Sequence, residues 1–76
     1  MIVIDLNENL YDTVKKYPEV IEIMYSLGFK AIAQPGMLQT AGRYMTIKKG
    51  AQMKKIELKK VIEVFQKNGF IVEGYN

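Results

Sequence analysis

The 76 residues contain no cysteine and no histidine. The first absence excludes disulfides, thiolate chemistry and any cysteine-held metal. The second removes the side chain most often used for general acid–base work, nucleophile activation and zinc binding. No apolar run approaches the roughly 18–20 residues that cross a bilayer. Low-complexity segments and linkers are also missing. The opening M-I-V-I-D-L has no basic leader and reaches Asp5 too early for a signal peptide, so a cytoplasmic location is expected.

What is present fits a folded domain. Hydrophobic residues make up 49% of the chain and charged residues 25%, unlike a disordered tail. The length allows one core, so residues 1–76 are expected to form a single small domain. A chain this short buries only about 60% of the surface it exposes when unfolded, which limits its stability.

One phrase occurs twice. Residues 20–29 read V-I-E-I-M-Y-S-L-G-F, and residues 61–70 read V-I-E-V-F-Q-K-N-G-F. In the first, Val20, Ile23, Met24 and Leu27 fall at i, i+3, i+4 and i+7, an apolar helical stripe. Gly28 then supplies a left-handed stop, which brings Phe29 back onto Met24. In the second, Val61, Val64 and Phe65 form the stripe, Gly69 is the stop, and Phe70 folds back onto Phe65. Neither flank matches, so the repeat reads as shared helix grammar rather than duplication.

The other segments follow the same rules. Asn7 or Asn9 caps a helix carrying Leu10, Val14 and Tyr17, and Pro18 ends it and opens the next. Pro35 starts a helix with Met37, Leu38, Ala41, Tyr44 and Met45 at helical spacing, weakened at Gly42 or packed closely there. Thr46 caps a further short turn, and a last long helix runs over about 57–67. Residues 2–6 and the tail from Phe70 are extended, and Ile71 and Val72 can pair with residues 2–4. The expected fold is all-α, a compact array of about five short helices with extended terminal segments able to pair.

Chemical motifs are weak. Asp5, Glu8 and Asp12 cluster loosely but lack calcium-loop spacing. G-M-L-Q-T-A-G-R is not a phosphate-binding loop. The methionines suggest either a plastic groove or core stripes; Met24, Met37 and Met45 fit core stripes better. Residues 43–60 hold Arg43, Lys48, Lys49, Lys54, Lys55, Lys59 and Lys60 against Glu57 alone. That face is a solvated surface, a dock for an acidic protein, or, less favoured, a nucleic-acid face; only Tyr44 offers a stacking ring.

Three blocks resemble one family. They are Y-P-E-V-I-E-I-M-Y-S-L-G-F-K, P-G-M-L-Q-T-A-G-R-Y-M-T-I-K-K-G-A and I-E-L-K-K-V-I-E-V-F-Q-K-N-G-F. Together they resemble the bacterial and archaeal domain of unknown function eighteen-fifty-eight, over about residues 6–72. The resemblance implies a small, mostly helical domain, found alone or fused ahead of sensory and hemerythrin-like modules, with no established activity. Some relatives, described as redox-disulfide domains associated with the hybrid cluster protein, carry cysteines just after the glycine matching Gly28. Here that loop reads F-K-A-I-A-Q, so their thiol chemistry does not transfer.

The same loop, closed by Pro35, forms an exposed corner that Gln34, Gln39, Thr40 and Arg43 can line. Either this corner recognises a partner, or Thr40 and Arg43 simply hydrogen-bond loose carbonyls, the favoured reading. The expected function is a non-catalytic interaction or regulatory module. Its partner is another protein or a second copy, and nucleic acid bound by the 43–60 face is the alternative. The candidate surface is Gln34, Gln39, Thr40, Arg43, Lys48, Lys49, Lys54 and Lys55. No catalytic residue, cofactor, metal or membrane contact is expected.

Overall fold

β-branched residues at the start of the chain favour extended backbone, and Ile2–Asp5 forms strand β1 in the computed structural model, which describes residues 2–75. Helix α1 (Leu10–Lys16) follows. Its cap is Asn9, whose Oδ1 accepts the Asp12 N–H at 2.9 Å while its Nδ2 donates to the Asp12 carboxylate at 2.8 Å. This reciprocal pair satisfies one of the orphan N–H groups of the first turn. Asn7, the other candidate cap, instead donates to the Gly74 carbonyl at 2.9 Å and ties the two ends of the fold together.

Helix α2 (Val20–Leu27) ends as its sequence predicts. Gly28 has φ 111°, its N–H bonds the Tyr25 carbonyl, and the Phe29 N–H bonds the Met24 carbonyl at 3.0 Å. That is the Schellman pattern, and it places Phe29 in the core beside Met24. Helices α3 (Ile47–Lys54) and α4 (Leu58–Lys67) complete the helical set. After α4, Gly69 turns at φ 87° and the Phe70 ring packs edge-on against Phe65, with centroids 5.6 Å apart. Tyr17 adds a second edge contact to Phe70 at 5.9 Å.

Two features correct the all-α expectation of about five helices. First, the terminal segments pair: Phe70–Glu73 forms β2, parallel to β1, with Ile2 opposite Phe70 and Ile4 opposite Val72. The whole helical part serves as the long crossover that parallel strands require. Ile4, Phe70 and Val72 are buried toward the helices, while Val3 and Ile71 face outward, so the ribbon gains the support that two strands need. Second, residues 31–46, where a helix opening at Pro35 is expected, form no α-helix. The segment holds two 3-10 turns, Ala31–Ala33 and Ala41–Arg43, with turns between them. Gly36 sits at φ 82° and Thr40 at φ −103°, ψ −82°, and neither geometry propagates a helix. Among the described residues four α-helices, not about five, surround a core that includes Leu6, Leu10, Val20, Ile47, Val61 and Phe65. The Cα radius of gyration is 11.0 Å, about the value for a folded chain of this length.

Candidate functional site: a methionine-lined apolar pocket

The Gly28 stop delivers Phe29 to a specific place. A methyl group added at Gly50 of α3 would lie 3.2 Å from Phe29 Cε1, so the helix surface is bare where the ring approaches. Thr46 fixes the start of that helix, its Oγ1 accepting the Lys49 N–H at 3.0 Å. The starts of α1 and α3 are themselves joined. Asn9 and Thr46 form an isolated antiparallel bridge, and the Leu10 N–H bonds the Met45 carbonyl at 2.7 Å. Across from them the 31–46 segment folds on itself. The Gly42 N–H bonds the Met37 carbonyl at 3.0 Å, and a Cβ at Gly42 would sit 3.0 Å from Leu38 Cδ1. Close packing at Gly42, one of the two expected alternatives, is therefore observed.

These pieces enclose a cavity of about 110 Å³. Leu10, Met24 and Phe29 form its buried wall. Ile32, Met37 and Met45 line it from the irregular segment, and Gly50, Met53 and Lys54 from α3. Every methionine among the described residues lines it. Met24 is core, as expected, but Met37 and Met45 are half-buried and lie on irregular backbone rather than on a helix stripe. Met53 is 71% exposed at the edge. Lys54 carries the only polar side chain of the lining.

The eight residues expected to form a recognition surface do not converge on this pocket; Lys54 alone lines it. Arg43 donates through Nε to the Gln39 carbonyl at 2.8 Å, and its guanidinium lies 4.4 Å from the centre of the Tyr11 ring. Thr40 donates to the Gly36 carbonyl at 2.9 Å. Both thus bond local carbonyls. Gln34 is exposed and its N–H closes the first 3-10 turn onto Ala31. The Lys48 and Lys49 N–H groups bond Leu6 O and Thr46 Oγ1. Lys55 ends α3 in a left-handed conformation, φ 56°. Sequence reasoning left out Ile32 and Met53; the available signal was the number of methionines, set aside in favour of core packing.

The early carboxylates serve local structure. Asp5 accepts the Asn7 N–H at 2.8 Å. Glu8 accepts from Thr13 at 2.9 Å and from Lys16 at 2.9 Å. The Glu8 hydrogen bond holds the Lys16 pKa above the ordinary lysine range. Among the described residues no group of three or more acidic side chains is placed to hold a metal ion, and no helix is long and apolar enough to cross a membrane.

Comparison with known proteins places this geometry. No functionally curated protein matches the chain. The crystal structure of the conserved domain protein from Streptococcus pneumoniae TIGR4 is similar, with a TM-score of 0.92 at 35% identity, over 97% of this chain and 94% of that one. Residues 4–62 match the profile of the domain of unknown function DUF1858; this span holds β1 from Ile4, three of the four helices and the whole pocket lining. On this match the chain belongs to the DUF1858 family.

Proposed function

We propose that the chain is a non-catalytic binding module, a single domain acting in the cytoplasm, that docks a protein partner at the methionine-lined pocket. The observation that supports this most is the size of the pocket set against its lining. A volume of about 110 Å³ is well below the ~300–1,000 Å³ of typical small-molecule sites. It suits one apolar side chain. A lining whose only polar side chain is Lys54 offers no acid–base pair to work on a reacting group. Methionine side chains adapt to the shape of what they meet, which suits recognition of a protein surface. The exposed Tyr44 and Met53, at 83% and 71%, add apolar area nearby in the chain.

The test is selection of binders from an unbiased random-peptide library, followed by titration of the selected peptides against the chain with labelled methionine methyl groups. The expected result is saturable movement of the Met37, Met45 and Met53 methyl resonances. Selected peptides that leave those methyls still, or a library that yields no binder, overturn the proposal.

A second reading, nucleic-acid binding by the 43–60 face, is favoured by one feature, the exposed Tyr44 ring beside Arg43. It requires binding to mixed DNA and RNA that falls steeply with salt. A flat response at low salt removes it.

A further inference from the structure

Resting on that protein-docking reading, we propose a specific partner chemistry: the pocket takes one aliphatic side chain from an acidic segment of another protein. The evidence is how charge is distributed around the apolar site. Between Glu22 and Glu57 the sequence has no carboxylate. That interval carries Lys30, Arg43, Lys48, Lys49, Lys54 and Lys55. Apart from Leu10, every residue lining the pocket belongs to it. This apolar pocket is therefore built, Leu10 aside, from the stretch of sequence that carries cations and no carboxylate.

The placement of the cations is local as well as sequential. Lys54 itself lines the pocket and is exposed, and a lysine so placed can cover apolar surface with its stem while its ammonium stays in water. Lys49 lies one helical turn before Met53 on α3, a surface neighbour. Lys30 follows Phe29 directly, held over the Tyr25 ring at 5.8 Å. Among the described residues neither Lys49 nor Lys54 forms an ion pair. Their charge is thus available to an incoming partner.

Size then selects the anchor. An apolar cavity of about 150 Å³ accepts benzene, so about 110 Å³ suits a valine, leucine or isoleucine side chain better than an aromatic ring. A buried apolar anchor surrounded by a charged rim is the usual anatomy of a protein-recognition hot spot. The rim contributes mainly association rate and partner choice, and the anchor mainly residence time. Two further hollows differ: one has Glu19 and Glu22 on its wall, and the other mixes Lys55, Lys59 and Lys60 with Glu57 and Glu63. Neither combines an apolar wall with charge of one sign.

The experiment uses short synthetic peptides of one design: a single leucine flanked by glutamates, the same peptide with leucine replaced by serine, the same with leucine replaced by phenylalanine, and the leucine peptide with lysine flanks. Binding is read by fluorescence anisotropy across a salt series and by the methionine methyl resonances. The expected result is that the glutamate-flanked leucine peptide binds at the pocket and weakens with rising salt. Replacing its leucine by serine should weaken it by about tenfold or more. Lys54→Glu and Met53→Asp, both at exposed positions, should weaken it while leaving thermal unfolding nearly unchanged, and Lys54→Glu should also flatten the salt dependence. If lysine-flanked or aromatic-anchored peptides move the same methyls as well as the acidic peptide does, the partner chemistry is overturned and the protein-docking reading stands. If neither the designed peptides nor any library-selected peptide moves them, both are overturned.

Discussion

Single residues decide how the two copies of the repeated phrase end. Gly28 and Gly69 both sit at positive φ, 111° and 87°. A Cβ at Gly28 would make only an ordinary contact with Ile56 Cδ1 at 3.7 Å, and one at Gly69 would meet nothing within 4 Å. Space is therefore not the constraint at either site; backbone conformation is. Gly28→Ala and Gly69→Ala are each expected to cost about 1–2 kcal/mol, the left-handed penalty, read as a lower denaturant midpoint with an unchanged slope. Gly50→Ala belongs to a different class. Its backbone is helical, but the new methyl would press on Phe29 at 3.2 Å, so any cost comes from displacing the pocket wall. Arg43, for which the sequence offers recognition as the less favoured of two roles, is engaged by the Gln39 carbonyl and the Tyr11 ring.

At the scale of elements, the starts of α1 and α3 act together. The chain from Leu6 to Leu10 bonds β2 through Leu6 N–H to Glu73 O, α3 through Lys48 N–H to Leu6 O, and the segment before α3 through Leu10 N–H to Met45 O. Short helices owe most of their stability to such tertiary support, because nucleating them alone is unfavourable. Helix α3 has eight residues with a glycine inside it, so its cap matters more than in a long helix. Thr46→Ala should destabilise the domain by about 1 kcal/mol. It should also raise amide exchange preferentially in residues 47–51, which hydrogen-exchange mass spectrometry or NMR would detect. Uniform exchange across the chain would show that the cap acts only on global stability. The alternation of the ribbon has a similar logic: Ile4 and Val72 are buried, Val3 and Ile71 are not, so only the former pair holds β1 and β2 on the helices.

For the molecule as a whole, 76 residues imply a total stability of about 4–11 kcal/mol at the usual per-residue value. Phe65 is fully buried and packs edge-on against Phe70, which links α4, the Gly69 turn and β2. Phe65→Ala is expected to cost about 3–5 kcal/mol, a large share of that total. The variant should show a marked loss of cooperative thermal unfolding or of chemical-shift dispersion at ambient temperature. A midpoint shift as small as that of a surface substitution would contradict the central place given to this ring. Charge is also a property of the whole: net +3 overall conceals an acid-free stretch, of whose cations Lys54 lines the apolar pocket.

The sequence by itself determined the helices whose signals are local. The Thr46 cap, an asparagine cap narrowed to Asn7 or Asn9, the breaks at Pro18 and Gly28, the apolar stripes of α2 and α4 and the return of Phe70 onto Phe65 all depend on residues within one or two turns of each other. It also determined that no thiol or imidazole is present to act. Tertiary structure alone decided the parallel pairing of β1 with β2, because those strands lie at opposite ends of the chain and their register depends on how four helices pack between them. It likewise decided the fate of residues 31–46. Their apolar spacing favours a helix, yet Gly36 and Thr40 adopt turn geometries, and the segment instead closes over Phe29 and Gly50. The pocket is assembled from α1, α2, that segment and α3, so no single window of sequence contains it. Each methionine on its own looks like core, and only the packing of separate elements brings them to one opening.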